Sequence, residues 1–205
     1  DLEFYTNRSA TSNAWTPAAG TYNISGNLKI ITGAAVALVP NLSASTNNIT
    51  VNLTGSLSYT KGGSGTPKIT SGSGTWTING DFVTTNGTWT SSTSNTVVMT
   101  GDSTSLTTTA ALYNLTVSGN PVTATSSFFI SRVLNVSSSK QLTISSGKTV
   151  TMSTLGSVTL LGTIEGPGTM SFDGNGDANL FPSTGTMNAN LVYSPFGGSV
   201  TITSR

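Results

Sequence analysis

The sequence predicts an all-β chain. A parallel β-solenoid is the main reading, and a β-sandwich or jelly roll completed by a donated strand is the alternative. Three observations lead there. Ser (31), Thr (38), Gly (23) and Asn (18) make up more than half of the 205 residues, and the helix-favouring charged side chains are scarce. No window keeps the i, i+3, i+4, i+7 apolar spacing of an amphipathic helix, whereas short apolar/polar alternations recur throughout. Residues 133–164 repeat with a period of eight.

In chain order, residues 1–20 read as an N-terminal arm with brief alternation at Leu2 and Phe4, followed by Tyr5 and Trp15. Such an arm suits donation as a strand to a neighbour's sheet. Residues 21–205 read as a single all-β domain. Ala34–Val39 is the longest apolar run and suits a buried strand. Ile49, Val51 and Leu53 share one face of a strand, and Trp76 pairs with Ile78, Val97 with Met99, and Leu115 with Val117. The dipeptides Asn79-Gly80 and Asn86-Gly87 are expected at turns, as residues that tolerate positive φ. Met170 and Phe172 continue the alternation, and 191–193 and 199–203 read as closing strands.

Written in eights, residues 133–164 are VLNVSSSK, QLTISSGK, TVTMSTLG and SVTLLGTI. The apolar pairs Leu134/Val136, Leu142/Ile144, Val150/Met152 and Val158/Leu160 are inward positions of four short strands. The polar stretches between them are corners or hairpin loops. In a solenoid, three such units close a coil of about 24 residues. Ser-Ser-Ser-Lys and Ser-Ser-Gly-Lys are not tight-hairpin sequences, which favours corners. The fourth unit departs from the pattern, with Leu161 and Ile164 in place of polar residues.

Several longer strings are built alike. They are Trp76-Thr-Ile-Asn-Gly-Asp-Phe82, Asn86-Gly-Thr-Trp89, Thr96-Val-Val-Met-Thr-Gly101, Leu112-Tyr-Asn-Leu-Thr-Val-Ser-Gly119 and Gly162-Thr-Ile-Glu-Gly-Pro-Gly-Thr-Met-Ser-Phe172. Over about residues 75–172 the chain resembles Thr/Ser/Gly-rich parallel β-helix surface proteins of archaea and bacteria, of the filamentous-haemagglutinin and autotransporter-passenger type. The resemblance implies an extracellular, repetitive, non-catalytic role in adhesion or assembly, and it carries over no active-site residue.

Composition excludes several functions. With no Cys and no His, the chain has no Cys/His zinc site, no Cys nucleophile and no Ser-His-Asp triad. A net charge of +1 offers no excess of cations to phosphates, so nucleic acid is not expected as a partner. No run approaches the ~20 apolar residues of a membrane helix. The chain starts at Asp1, which with its Thr/Ser/Asn-rich surface reads as a secreted protein whose leader was removed.

Asp173-Gly-Asn175-Gly-Asp177 places three oxygen-bearing side chains at alternate positions, the arrangement of a calcium loop. Gly176 and Thr184 depart from the EF-hand pattern, and a Gly-rich polar turn is the competing reading. Eight Asn-X-Ser/Thr sequons stand at Asn7, Asn23, Asn41, Asn48, Asn52, Asn86, Asn114 and Asn135; composition alone accounts for most of them. Of seven carboxylates, Glu165 and Asp173 form the only candidate catalytic pair, so no enzyme is expected. The expectation is a structural subunit of an extracellular filament or matrix, head-to-tail with itself through β-edges. A carbohydrate-binding adhesin module is the alternative, and a β-helix polysaccharide lyase the remote one.

Overall fold

A computed structural model describes residues 1–6, 14–33, 41–44, 47–153, 156–174, 184–195 and 200–202. They form a parallel β-solenoid of about seven turns, with no helix among them and so none that could cross a membrane. The apolar run Ala34–Val39 lies outside the described residues.

Each coil visits three faces in turn. The first face stacks β1 (Leu2–Thr6), β4 (Leu28–Thr32), β7 (Leu57–Lys61), β10 (Phe82–Val83), β13 (Thr104–Thr107), β15 (Val122–Ala124) and β17 (Gln141–Ile144), then the starts of β20 (Thr163–Gly174) and β21 (Thr186–Pro195). The second face carries β2 (Ala14–Trp15), β5 (Asn41–Ser43), β8 (Lys68–Thr70) and β11 (Thr88–Thr90). It continues with the start of β16 (Phe128–Val136), with β18 (Thr149–Met152) and with the later halves of β20 and β21. The third face stacks β3 (Gly20–Ile24), β6 (Ile49–Leu53), β9 (Thr75–Ile78), β12 (Thr96–Met99), β14 (Leu112–Val117), the end of β16 and β19 (Ser157–Leu160). All these pairings are parallel. β22 (Val200–Ile202) alone runs antiparallel, against Leu191–Tyr193.

The repeat of eight is one coil written out. Its four units fall on the third, first, second and third faces, and Leu134 of the first unit stacks on Val158 of the fourth. The corners Ser137–Lys140 and Ser145–Lys148 are closed by the same bond, from the Lys backbone N–H to the Ser carbonyl at 3.0 Å. Their third residue adopts positive φ, 61° at Ser139 and 67° at Gly147. The irregular fourth unit has a simple cause. Only Leu161 and Gly162 separate β19 from β20, so Ile164 already sits on the next first-face strand, paired with Leu142 and fully buried, while Leu161 is exposed.

Coil length varies, and the lumen follows it. Leu28, Leu57, Phe82, Leu106, Ala124 and Ile144 stack on one another along the first face. The step along the chain is longest from Leu28 to Leu57 and shortest from Leu106 to Ala124. Large rings gather in the coils between Leu57 and Leu106, and Phe128 is buried in the coil after Ala124. Trp76 and Phe82 each meet Trp89 edge-on at 5.1 Å, all three buried. The Trp76 indole N–H donates to the Ser71 carbonyl at 3.0 Å, so burial leaves no orphaned donor. In the shortest coil the apolar lumen residues are Leu112, Leu115, Val117 and Val122, with no ring. A shorter circumference leaves less cross-section, and interiors are filled to crystal-like density, so side-chain volume must fall with it.

Glycines line the corner from third to first face. Gly26, Gly55, Gly80, Gly101 and Gly119 each stand second after the end of a third-face strand. The Gly55 N–H donates to the Gly26 carbonyl and the Gly80 N–H to that of Gly55, both at 2.9 Å. A Cβ on Gly101 would collide with the Asn79 carbonyl, and one on Gly119 with the Gly101 carbonyl. This corrects the reading of the two Asn-Gly dipeptides. Asn86-Gly87 does stand at a turn, closed by the Gly87 N–H donating to the Thr84 carbonyl at 3.2 Å, but neither dipeptide uses positive φ. That conformation falls elsewhere, at Gly26, Gly72 and Gly147 among others, and Gly80 serves close coil-on-coil approach instead.

Candidate functional site

The features with a functional bearing are the N-terminal end of the solenoid, the outward faces, the sequons and the scattered carboxylates. At the N-terminal end, β1, β2 and β3 each pair on one side only among the described residues, with β4, β5 and β6 respectively. Their other edges carry backbone donors and acceptors, the groups that recruit further strands. Of residues 1–20, expected as an arm, 1–6 and 14–20 are described. β1 lies along β4, and the Asp1 carboxylate accepts from the Asn27 backbone and side-chain N–H groups at 2.8 and 3.1 Å. Lys29 bridges Glu3 at 3.0 Å and Asp1 at 3.6 Å. All three are solvated, so the pairs add little stability.

Above this edge the lumen opens into a cavity of about 310 Å³. Its walls include Leu28, Leu42, Ile49 and Val51, its floor is Trp76, and Leu2, Trp15 and Tyr22 stand at its rim. Trp15 stacks on Phe4 at 4.9 Å, meets Tyr22 edge-on at 5.8 Å, and stays 37% exposed. At the opposite end, β22 covers the later half of β21, while Thr186–Asn188 pairs only with β20 among the described residues.

The sequons separate by environment. Asn7 lies outside the described residues. Asn23, Asn48 and Asn86 are exposed. Asn52 donates its side-chain amide to Asn23 at 2.8 Å, while Asn48 accepts from the Ser73 hydroxyl. Asn114 donates to the Thr96 hydroxyl at 3.3 Å. The side-chain oxygens of Asn41, Asn114 and Asn135 are buried without a hydrogen-bond partner, which makes these amides poorly presented.

Asp173 is exposed near the end of β20; Asn175 and Asp177 lie outside the described residues. Among the described residues, no group of three or more carboxylates gathers as a metal site. Glu165, on the first face, accepts from the Gln141 side chain at 2.8 Å, and Asp173 stands on the second face of the same coil. Asp81 accepts from the Ser105 backbone at 2.7 Å and Asp102 from the Asn120 backbone at 2.8 Å, so both fasten corners to the next coil. Among the described residues, the perturbed ionisable group is Tyr59. Burial pushes its hydroxyl well above the usual tyrosine range, and it donates to the Thr88 carbonyl at 3.1 Å inside the lumen.

The fold defines the class: a parallel β-solenoid. Comparison with protein-family models, curated proteins and solved structures gives no match to this chain.

Two features were not read from the sequence, the glycine column and the aromatic mouth. The column had a signal, an apolar–polar–Gly triplet at Ile24-Ser-Gly26, Leu53-Thr-Gly55, Ile78-Asn-Gly80, Met99-Thr-Gly101 and Val117-Ser-Gly119. The mouth had none, because Phe4, Trp15 and Tyr22 meet only once the coil closes.

Proposed function

We propose that this chain is a structural subunit of an extracellular surface filament or matrix, self-assembling through its β-edges, without catalytic activity. The observation that carries the reading is the N-terminal end: three parallel strands that pair on one side only among the described residues, surrounding an apolar mouth with Leu2 and Trp15 at its rim. An open edge beside exposed apolar surface is a template for a further strand. The Thr186–Asn188 edge of another copy supplies a parallel partner, and a contact between unlike ends that does not close gives a fibre. Glycans are proposed at Asn48 and Asn86, whose side chains are exposed at corners.

Sedimentation velocity across a concentration series tests this. Polymers are expected for the wild type, and Leu2→Lys with Trp15→Lys, which charges the rim, is expected to leave monomers. A wild type that stays monomeric at every concentration overturns the reading.

The carbohydrate-binding alternative is favoured by one observation, the exposed Trp15 ring beside a ready-made cavity. Monomer retained on a glycan array, and lost in Trp15→Ala, would support it.

A further inference from the structure

The third face differs from the other two in its outward side chains. Its strands place two of them outward per coil, in two columns set by the strand register. One column runs Thr21, Thr50, Thr75, Thr96, Asn114, Val133, Ser157, with Thr50 and Thr75 aligned by carrying the Val51–Trp76 register back one residue. The other runs Asn23, Asn52, Thr77, Val98, Thr116, Asn135, Thr159. Seven of these fourteen positions are Thr, four Asn, two Val and one Ser, and none is charged or aromatic. The first face, by contrast, is broken by Glu3, Lys29 and Glu165, and the second by Lys68 and Asp173. Arg132 stands at the corner before Val133, outside the columns.

The spacing is set by the backbone. Successive coils lie ~4.8 Å apart, and outward neighbours on one strand ~6.7 Å apart, so seven coils span about 29 Å. In-register stacking and side-chain ladders are the devices that oppose the usual twist of a sheet, and the Asn52–Asn23 and Asn114–Thr96 bonds are rungs of such ladders. The result is a two-dimensional array of Thr and Ser hydroxyls and Thr and Val methyls, joined by the amides of Asn23 and Asn52, while the Asn114 and Asn135 side-chain oxygens are buried.

A periodic surface without charge selects a periodic, uncharged ligand. Mineral and phosphate lattices need charge. Crystalline polysaccharides present sugar faces that stack on exposed rings, and the columns offer none. A second copy is disfavoured by area, because a strip about 29 Å long and two columns wide is far below the ~800 Å² per partner of a stable interface. The remaining lattice is water itself. In the prism faces of hexagonal ice, water molecules repeat at closely similar intervals in two orthogonal directions. Thr hydroxyls can replace lattice waters, while Thr and Val methyls order the water between them.

We propose that the third face binds ice through these two columns. This does not rest on polymerisation, since monomer and polymer present the same face.

The test is growth of single ice crystals in dilute, non-glycosylated protein on a cooling stage, together with adsorption of labelled protein to an ice surface. The variants are Thr77→Lys and Thr116→Lys on the third face and Thr123→Lys on the first, each checked for the wild-type circular dichroism spectrum. Wild type and Thr123→Lys are expected to give faceted crystals, a gap between melting and growth temperatures, and adsorption. Thr77→Lys and Thr116→Lys are expected to lose most of that gap. Unfaceted growth and no adsorption with wild-type protein would overturn the proposal. So would equal activity in all variants, or retention on crystalline cellulose or chitin with none on ice.

Discussion

Leu106 and Ala124 offer a sharp test of how the coils stack. They belong to successive coils, lie directly against each other on the first face, and are fully buried in the narrowest part of the lumen. Leu106→Ala removes three carbons from a closed interior. At ~0.8 kcal/mol per buried carbon the transfer loss is about 2.4 kcal/mol, and the residual cavity brings it to about 3–4 kcal/mol. Ala124→Leu adds the same volume where the coil has no room, costing about 1–3 kcal/mol. The double variant exchanges large and small across one coil step and keeps total volume. It is expected to be more stable than the sum of the singles by at least ~1 kcal/mol, within the range for residues in contact. Urea unfolding of the four proteins, compared at constant m-value, measures the coupling. Additivity within ~0.3–0.5 kcal/mol would mean that the two positions do not touch, and would refute the stacking.

Three further outcomes follow from particular residues. Gly101→Ala drives a methyl into the Asn79 carbonyl and is expected to destabilise by more than ~3 kcal/mol in the same assay, against about 1 kcal/mol for Gly147→Ser, which meets open space and costs only the strain of positive φ. Ser139→Gly, at the equivalent corner position with φ of 61°, is expected to raise stability by about 0.5–1 kcal/mol, and a loss would contradict the corner geometry. Tyr59 stays protonated in the folded lumen while the unfolded chain ionises near its ordinary value of 10.0. Its contribution is therefore complete below pH 10 and falls above it by about 1.4 kcal/mol per pH unit; Tyr59→Phe removes that slope, at a cost of about 1 kcal/mol near neutrality for the lost Thr88 bond.

What the sequence made legible was the part where coil geometry is uniform. From Val133 to Leu160, strands of four alternate with connections of four, so Leu134, Leu142, Val150 and Val158 recur at equal intervals and the solenoid can be read directly. Elsewhere the coils differ in length, as the unequal steps from Leu28 to Leu57 and from Leu106 to Ala124 show. The periodicity then disappears from the sequence although the stacking continues, because a solenoid needs equal strand register and not equal corner length. Asn79-Gly80 misled for a related reason. The dipeptide of a tight hairpin and the glycine of a close coil contact look alike, and only the neighbouring coil distinguishes them. The third-face columns were invisible as a grid, since Thr77, Thr96 and Asn114 align only through pairing. The outward direction of Asn52, however, was legible from the shared face of Ile49, Val51 and Leu53.

Whether this solenoid builds a filament by end-to-end β-edge contact is decided by electron microscopy of concentrated protein with averaged power spectra. Unbranched filaments about one solenoid wide are expected, with a strong meridional reflection near ~4.8 Å from strands running across the axis. Discrete particles at every concentration, or fibres without that reflection, would contradict the end-to-end assembly.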